Sequence, residues 1–379
     1  MSEWKKCAIG DMVMLRQGFA INAKSKHYIS KVPTSLALLR IADMKSGSRE
    51  IYVKEDIPRN FIAQPQDIVY TRTGNVGLVF RNNYGVVHNN CFTVTPNDER
   101  ALSRDFLFYL LQSKYFFEKA NSLARGAAQP DLPHSLFNSI EISYPDLDCQ
   151  QRIADILSNY DSLIENYQKQ IKLLEEAAQR LYKEWFVDLR FPGYENTKIV
   201  DGVPEGWEKK KVGDLIEKVQ RTKQVPTNDY LKTGNIPVID QSRNYVAGYT
   251  NDSECMVRVT TPYIVFGDHT RVLKYIPFSF AKGADGTQLI MSNDLKRMPQ
   301  SLFYISLIGI DLSNYSYARH FKYLKEESIL VPSVSIATSY ENIVAKYLQS
   351  IQKNRESIRL LTEARDRLLP KLMSGEITV

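Results

Sequence analysis

The chain has few cysteines and no long apolar run. Its 379 residues include four widely separated cysteines that form no C-x-x-C pair: Cys7, Cys91, Cys149 and Cys255. Four cysteines are too few for disulfide bonds to stabilise a chain of this size, so we expect reduced thiols. The longest apolar stretch, SLFYISLIGI at 301–310, has about half the length that crosses a bilayer. The opening MSEWKK has no apolar segment typical of a secretion signal. We therefore expect a cytoplasmic protein.

Motifs for cofactor and metal chemistry are also missing. The sequence contains no G-x-x-x-x-G-K-[ST] phosphate loop, no G-x-G-x-x-G after a strand and no Asn-Pro-Pro-Tyr motif of amino-methyltransferases. Its five histidines lack ligand spacing with the cysteines. The sequence therefore offers no motif for a catalytic, metal or cofactor site in the chain itself.

One pattern offers an enzymatic alternative. Asp201, Glu208 and Lys210 fit D-x6-E-x-K, the spacing with which many nucleases hold Mg2+ and position water. Such spacings also arise by chance among common residues. In the matching stretch near the start of the chain, Lys5 takes the place of Glu208, which weakens the nuclease interpretation.

The charge balance permits an acidic partner. Lys and Arg outnumber Asp and Glu by 49 to 43, for a net charge of +6. This excess is far below that of histone-like proteins but is compatible with DNA binding.

The sequence is duplicated. WKKCAIGDMV at 4–13 reappears as WEKKKVGDLI at 207–216, and ISYP at 142–145 as ILVP at 329–332. Between these, DIVYTRTG at 67–74 resembles YIVFGDHT at 263–270. Each match is weak, but their common order makes chance a poor explanation. We conclude that two similar units follow each other.

Each unit is followed by a heptad stripe of steps of four and three residues. The first comprises Ile153, Leu157, Tyr160, Ile164, Tyr167, Ile171, Leu174, Ala178, Leu181 and Trp185. The second comprises Tyr340, Val344, Tyr347, Ile351, Asn354, Ile358, Leu361, Arg365, Leu368 and Leu372. Stripes of this kind pair helices. At about 1.5 Å per residue, each extends about 50 Å.

We predict that the two helices pair in antiparallel orientation. Full overlap places Ala178 opposite Tyr347 and Tyr160 opposite Arg365, and a buried Asn354 would fix the register. Two alternatives remain open. Each helix could pack on its own domain, and Asn354 and Arg365 could lie at the wet edge of the stripe.

The globular units have the pattern of mixed α/β domains. Short β-rich runs separated by Asn, Gly and Pro precede one compact helix, which in the first unit begins after Ser103. The predicted fold class is α+β: two similar mixed α/β domains joined by an antiparallel two-helix coiled coil with a pseudo-two-fold arrangement. The predicted boundaries are 1–144 for the first domain, 145–190 for its helix, 191–206 for a linker, 207–331 for the second domain and 332–379 for its helix.

Basic and polar side chains recur in the loops of both units. Arg, Asn and Gln suit base edges, and Lys suits phosphate. A solvated surface charge is the alternative for each residue. The candidate DNA-binding residues are Arg16, Lys24, Lys26, His27, Arg72, Thr73, Asn75, Arg125, Gln129, Arg221, Lys223, Arg243, His269, Arg271, Arg319, His320 and Lys322.

The whole chain resembles the specificity subunit of type I restriction-modification systems. The resemblance is carried by VPEGWEKKKVGDLIEKV, by the segment from ISYPDLDCQQRIADIL to YKEWFVDLRF and by the closing TEARDRLLPKLMSGEI. It implies two target-recognition domains, each reading half of a split DNA site, and a coiled coil that sets the gap.

The resemblance also implies partners. These are double-stranded DNA, two DNA adenine methyltransferase subunits that use S-adenosylmethionine, and restriction subunits that translocate DNA with ATP and Mg2+. The specificity subunit itself would do no chemistry. The segment ARHFKYLKEES at 318–328 departs from RGAAQPDLPHSLFN at 125–138. The repeat therefore gives the weakest support to the prediction that Arg319 binds DNA. The alternative function is a non-enzymatic coiled-coil scaffold whose globular ends bind other proteins.

Overall fold

The computed structural model describes residues 4–219, 222–283, 286–315 and 319–379. They form two compact units. Unit 1 consists of Met1–Ile164 and Arg359–Val379, and unit 2 of Glu165–Ile358. In the described ranges, no helix combines the length and the apolar content needed to span a membrane.

The chain up to residue 187 contains eleven of the described strands and five α-helices. The strands are β1 (Lys5–Ala8), β2 (Val13–Gln17), β3 (Ile29–Ser30), β4 (Leu36–Leu39), β5 (Tyr52–Val53), β6 (Ile62–Ala63), β7 (Ile68–Thr71), β8 (Val79–Phe80), β9 (Gly85–Val87), β10 (Cys91–Pro96) and β11 (Glu141–Tyr144). The helices are α1 (Ile41–Ser46), α2 (Arg104–Gln112), α3 (Lys114–Leu123), α4 (His134–Asn138) and α5 (Leu147–Tyr182), the last continued by a π-helical turn, Lys183–Val187.

The rest of the described chain repeats this plan. The strands are β12 (Ile199–Val200), β13 (Val203–Pro204), β14 (Glu208–Lys211), β15 (Ile236–Ile239), β16 (Gly248–Thr250), β17 (Met256–Val257), β18 (Tyr263–Gly267), β19 (Leu273–Ile276), β20 (Phe280–Lys282), β21 (Thr287–Ile290) and β22 (Ser328–Val331). The helices are α6 (Gln300–Ile308), α7 (His320–Glu326) and α8 (Val334–Met373).

Unit 1 contains an antiparallel sheet in the order β2-β10-β7-β8 and a mixed sheet in the order β3-β5-β4-β9-β6. Within the mixed sheet, β4 and β9 are parallel, with Leu38 opposite Val86. Strand β1 pairs with β11, with Lys5 opposite Tyr144. This last pair brings the start of the unit to the strand that leads into α5.

Unit 2 has the same kinds of pairing. Its mixed sheet has the order β16-β15-β20-β17, with β15 and β20 parallel. Strands β19, β18 and β21 form an antiparallel sheet, and β14 pairs with β22. The parallel pair β15–β20 corresponds to β4–β9, and β14–β22 corresponds to β1–β11. The predicted fold class of two similar mixed domains is therefore confirmed.

The segment after Ser103 differs from the prediction of one helix. It forms α2 and α3, separated at Ser113, whose backbone is extended and whose Oγ accepts a hydrogen bond from the N–H of Phe116. A serine hydroxyl can replace a backbone acceptor at a helix start, and this favours the break. The N–H of Ser103 donates to Oε1 of Gln150 at 2.8 Å, which attaches the start of α2 to α5.

The heptad stripes are the contact faces of α5 and α8. Every predicted stripe position is buried or half-buried. In unit 2, Gln170 bonds to Asn354 and the carbonyl of Ala178 accepts a hydrogen bond from the Tyr340 hydroxyl. Residue numbers fall along α8 as they rise along α5, so the antiparallel orientation is confirmed.

The side chains at the polar stripe positions have partners on the facing helix. Asn354 is 9% exposed, and its Nδ2 donates to Oε1 of Gln170 at 3.2 Å. Arg365 is half-buried and pairs with Asp161, which adjoins the predicted Tyr160. The structure therefore favours a seam position for both residues over a position at a wet edge.

Part of the predicted linker at 191–206 packs within unit 2. Phe191 is buried, and its ring centroid lies 4.7 Å from that of Trp207. Strands β12 and β13 then form a hairpin. The tryptophan that opens the second repeat thus packs on the residue that opens the linker.

Candidate nucleic-acid interface

A groove of about 430 Å³ lies in unit 1 at the ends of the parallel strands β4 and β9. Parallel strands end at the same edge of a sheet, so the residues that follow them come together. The residues that line the groove are Arg40, Ile41, Ala42, Lys45, Thr73, Gly74, Asn75, His88, Asn90 and Gln129. Three of them, Thr73, Asn75 and Gln129, are among the predicted DNA-binding residues.

Backbone hydrogen bonds hold the loops of this groove together. The carbonyl of Asn90 accepts from the N–H groups of Arg72 and Thr73 at 2.8 and 3.2 Å. The N–H of Gly74 donates to the carbonyl of Pro130 at 2.8 Å. Gly74 has φ +83, a conformation that favours glycine and allows the chain to turn here. Three segments distant in sequence are therefore joined at one place.

A polar network reinforces this junction. Nε and Nη2 of Arg72 lie 3.0 and 2.6 Å from the two oxygens of Asp131, and Nη1 lies 3.1 Å from Oε1 of Gln17. The Thr73 hydroxyl also donates to Asp131, at 2.5 Å. Hydrogen bonds from Arg72, and then from Thr73, hold the pKa of Asp131 below its ordinary value. Arg72 and Thr73 therefore position the loop with their side chains.

Other predicted residues of unit 1 are available to a ligand. Asn75, Gln129 and Arg125 are exposed, and within the described ranges their side chains contact no hydrogen-bond or ionic partner. Asn75 and Gln129 line the groove, whereas Arg125 lies in the same hairpin as Gln129 and outside the lining. Amides at such positions are suited to adenine edges.

The groove also contains residues that the sequence reasoning missed. Arg40 is fixed by Asp43 at 2.7 Å and by Glu50 at 2.6 Å. Lys45 is exposed and has no side-chain partner among the described residues. Burial, together with the Arg40 guanidinium, lowers the pKa of His88. Only the parallel pairing of β4 with β9 brings these residues to the groove, and no local motif indicates that pairing.

The predicted residues near the start of unit 1 lie apart from the groove lining. Nη2 of Arg16 is 3.1 Å from Oδ2 of Asp67, so Arg16 is paired inside the unit. Lys24 and Lys26 are exposed in a turn, where His27 Nδ1 lies 2.8 Å from the carbonyl of Lys24.

In unit 2, two predicted loops meet through Gln241. Its Oε1 accepts from the N–H of His269 at 3.1 Å, and its carbonyl accepts from the Thr270 hydroxyl at 2.6 Å. This contact joins the segment after β15 to the segment after β18. Arg243 and His269 are exposed on these segments.

Lys223 and Arg271 are engaged within unit 2. Nζ of Lys223 lies 2.8 Å from Asp252 and 3.0 Å from Glu254. Arg271 has φ +62, and its Nη1 donates to the carbonyl of Leu312 at 3.2 Å. The remaining predicted residue of this loop region, Arg221, lies outside the described residues.

The predicted residues around α7 fall into two groups. Arg319 and Lys322 are exposed and have no side-chain partner in the described chain. His320 is 6% exposed, with Nδ1 2.9 Å from the carbonyl of Asp268 and Nε2 2.8 Å from that of Tyr315. A direct DNA contact by His320 would require one of these bonds to break. These contacts favour a structural role for His320.

One pair of equivalent positions in the two units carries opposite charges. The offset of 196 residues matches Arg72 to Asp268. Arg72 is tied to Asp131, whereas Asp268 Oδ1 accepts from the N–H of Phe321 at 2.8 Å. Each residue thus attaches the loop after the central strand to a later segment, but with a partner of a different kind.

The nuclease pattern does not form a metal site. The Glu208 carboxylate bonds to Arg297 and lies 2.8 Å from Nζ of Lys210. Hydrogen bonds from Lys210, and then from Arg297, lower the pKa of Glu208 to about 2. Asp201 lies in the turn between β12 and β13. No cluster of three His, Cys, Asp or Glu residues suited to a metal occurs in the described part of the chain.

Known proteins are similar to this chain in sequence. The family model described as type I restriction modification DNA specificity domain matches residues 1–176 and 204–358. The chain is 27% identical to the type I restriction enzyme MjaIX specificity subunit of Methanocaldococcus jannaschii, covering 100% of this chain and 94% of that one. It is 23% identical to the HindI specificity subunit of Haemophilus influenzae over 100% of both chains.

A solved structure supports the fold. The crystal structure of the type I restriction-modification system S subunit from M. genitalium matches with a TM-score of 0.64 and 17% identity, over 98% of this chain and 96% of that one. The family model covers both repeats and most of the residues. The chain therefore belongs to the type I restriction-modification DNA specificity family, whose members recognise DNA and are not themselves catalytic.

Proposed function

We propose that the chain reads a split, asymmetric double-stranded DNA target, with one half read by each unit. One observation carries this proposal. The loops after β7 and β18 lie at equivalent places in the repeat, yet they expose different side chains, with Asn75 in one and His269 in the other. Loops with different chemistry select different bases.

The proposed division of labour follows the repeat. Residues 1–144 and 207–331 are the two target-recognition domains, 145–190 and 332–379 are the spacer helices, and 191–206 is the linker. We propose that the helix pair determines the distance between the half-sites. Each helix stripe extends about 50 Å, more than one DNA turn of about 34 Å.

Exposure divides the candidate residues into two groups. The exposed residues without an internal side-chain partner are the proposed DNA contacts: Lys24, Lys26, Asn75, Arg125, Gln129, Arg243, Arg319 and Lys322. Exposed His27 and His269 remain proposed contacts as well. Arg16, Arg72, Thr73, Lys223, Arg271 and His320 already bond within their units, which supports an indirect role in holding the loops.

The proposed partners follow from family membership. They are two DNA adenine methyltransferase subunits, which use S-adenosylmethionine, and restriction subunits that translocate DNA with ATP and Mg2+. The chain would supply no cofactor site of its own and would act in the cytoplasm. Its net charge of only +6 supports weak DNA binding by the lone subunit, because phosphate contacts supply much of the affinity.

The proposal is tested by exchanging one domain. Residues 1–144 are replaced by the equivalent residues of another specificity subunit, the chain is assembled with its methyltransferase partners, and methylated adenines are mapped. We expect one half of the target to change and the other half to remain. A change in both halves would contradict the assignment of one half to each unit.

The spacer role needs a separate experiment. Insertion of one heptad into both helices, at matching positions, should widen the gap without altering either half-site. Binding of the complex to mixed duplexes should fall steeply with salt. Salt-independent or absent DNA binding by the assembled complex would favour a protein-binding scaffold instead.

A further inference from the structure

Unit 2 contains a buried lysine next to one of its candidate reading loops. Lys274 lies on β19 and is 4% exposed. Lysine is almost never fully buried unless its ammonium group is paired, since leaving water costs it several kcal/mol. The contacts of its Nζ atom therefore indicate what the residue does.

The ammonium group holds both ends of one short segment. Nζ donates to the carbonyl of Asp240 at 2.8 Å and to that of Asn244 at 2.5 Å, and it lies 3.8 Å from Oδ1 of Asp240. An ammonium has three hydrogens, so one side chain can serve all these oxygens. The 240–244 segment is thereby closed into a loop around Nζ.

The charge of Lys274 is maintained near neutral pH. Burial lowers the pKa of Lys274 to about 8, while Asp240 opposes this effect. The ammonium therefore predominates at pH 7, and its bonds to the two carbonyls are charge-assisted.

The enclosed segment carries side chains of the proposed interface. Arg243 is exposed at its tip, and Gln241 contacts the backbone N–H of His269 and the hydroxyl of Thr270. The position of the loop after β18 thus depends on the position of the 240–244 segment. A change at Nζ would displace both candidate reading loops together.

Unit 1 holds the equivalent segment with different contacts. In unit 2, Lys274 lies opposite Val265. In unit 1, Val69 takes the place of Val265 in the repeat and lies opposite Phe80. The segment after β4 is instead held by its own charges, with Arg40 bonded to Asp43 at 2.7 Å. A lysine that bonds to both ends of this segment is therefore a feature of the second domain.

We propose that Lys274 is a positioning residue for DNA recognition by the second domain, acting through the shape of the 240–244 segment. This inference rests on the proposed function. It assigns to Lys274 no direct contact with DNA, because its side chain is enclosed.

The test uses Lys274→Met in the full chain assembled with its methyltransferase partners. Discrimination against single-base changes is measured in each half-site, and the half read by residues 207–331 is identified by the domain exchange described above. We expect discrimination in that half to fall by roughly tenfold or more, as for loss of one good base contact. The other half should be unaffected. Lys209→Met, an exposed lysine of the same unit, is the matched control.

Three measurements separate positioning from general stability. The melting temperature should fall only modestly, since two carbonyl bonds are lost. The salt dependence of binding to non-specific DNA should match the control, and amide exchange should accelerate in residues 240–244 and not throughout unit 2. Lys274→Gln, which keeps an N–H donor, should recover part of the discrimination, and it serves as the test variant if Lys274→Met does not fold.

The outcomes are distinct. Unchanged discrimination in both halves, or equal loss in both halves with a lowered melting temperature, would overturn the positioning role. A wild-type complex that methylates no defined split target would overturn the proposed function itself.

Discussion

Arg365 and Asp161 form an ion pair between the two long helices of unit 1, with Nη1 2.7 Å from Oδ1. The other Asp161 oxygen accepts from the Tyr109 hydroxyl at 2.6 Å, and Arg81 lies 3.5 Å from it. The guanidinium of Arg81 also stacks on Phe108 at 4.1 Å. One carboxylate therefore connects α2, α5, α8 and the chain after β8.

Replacement of this carboxylate should weaken unit 1. Asp161→Asn removes the charge that Arg365 and Arg81 face, and we expect the free energy of unfolding to fall by about 1–3 kcal/mol, the usual range for breaking a partly buried charged hydrogen bond. Urea unfolding measures the change. Asp366→Asn is the control, since Asp366 pairs with the same Arg365 at a more exposed site. Equal effects of the two variants would contradict the special role of Asp161.

Asn354 should restrict α5 and α8 to one pairing register and should lower the stability of the protein. Asn354→Leu removes a buried amide from the helix seam, and we expect the free energy of unfolding to rise by about 1 kcal/mol because polar seam residues reduce stability. Thermal melting tests this, with Lys353→Leu on the exposed face as control. The loss of the Gln170 bond should also allow more than one gap length among methylated sites. A single unchanged gap would show that Asn354 does not set the register.

The unit 1 groove should read bases through its free amides. Asn75→Ala and Gln129→Ala should each reduce discrimination in one half-site by about tenfold, corresponding to a bidentate contact of about 1–3 kcal/mol. Lys45→Ala should weaken binding to all sequences and lower the salt slope by about 1. Binding titrations at several salt concentrations measure both effects. Loss of discrimination in the opposite half-site would exclude this groove as the reading surface.

Two neighbouring residues at the start of α7 should behave differently. His320→Ala removes both carbonyl contacts and should lower the free energy of unfolding by about 1–3 kcal/mol. Arg319→Ala should leave stability unchanged and reduce DNA affinity, because its side chain is exposed. Melting and binding measured on both variants decide this. DNA binding that falls with His320→Ala at unchanged stability would indicate a direct role.

The Arg72–Asp131 contact should resist mild acid. The pKa of Asp131 lies below its ordinary value of 3.8, so the contact contributes fully above about that pH and is lost as the pH falls through the lower pKa of the folded state. Opening of residues 72–78, measured as amide exchange corrected for its intrinsic pH dependence, should therefore rise only below pH 3.8. In Asp131→Asn it should already be raised at pH 7. Loosening of the wild-type loop between pH 5 and 7 would contradict this assignment.

Part of the site could be predicted from loop composition. Asn75 and Gln129 were predicted as polar loop residues and line the groove, and the predicted Arg243 and His269 lie on adjoining segments of unit 2. Lys45 and Asn90 were not among the predicted residues, because a parallel strand pair and not a sequence motif places them in the groove. The bonds of Arg72 to Asp131 and of His320 to Asp268 could not be predicted either, because 59 and 52 residues separate the partners in sequence.

Local periodicity and repetition are sufficient to predict the two similar units, the helical stripes with their buried positions, and the family. A heptad stripe needs only spacing along one helix, so it is legible without coordinates. The folded chain was needed to show which polar side chains are free and which are bonded, where the groove lies, and that Ser113 divides a helix. These features depend on contacts between distant segments, whose pairing no single stretch of sequence specifies.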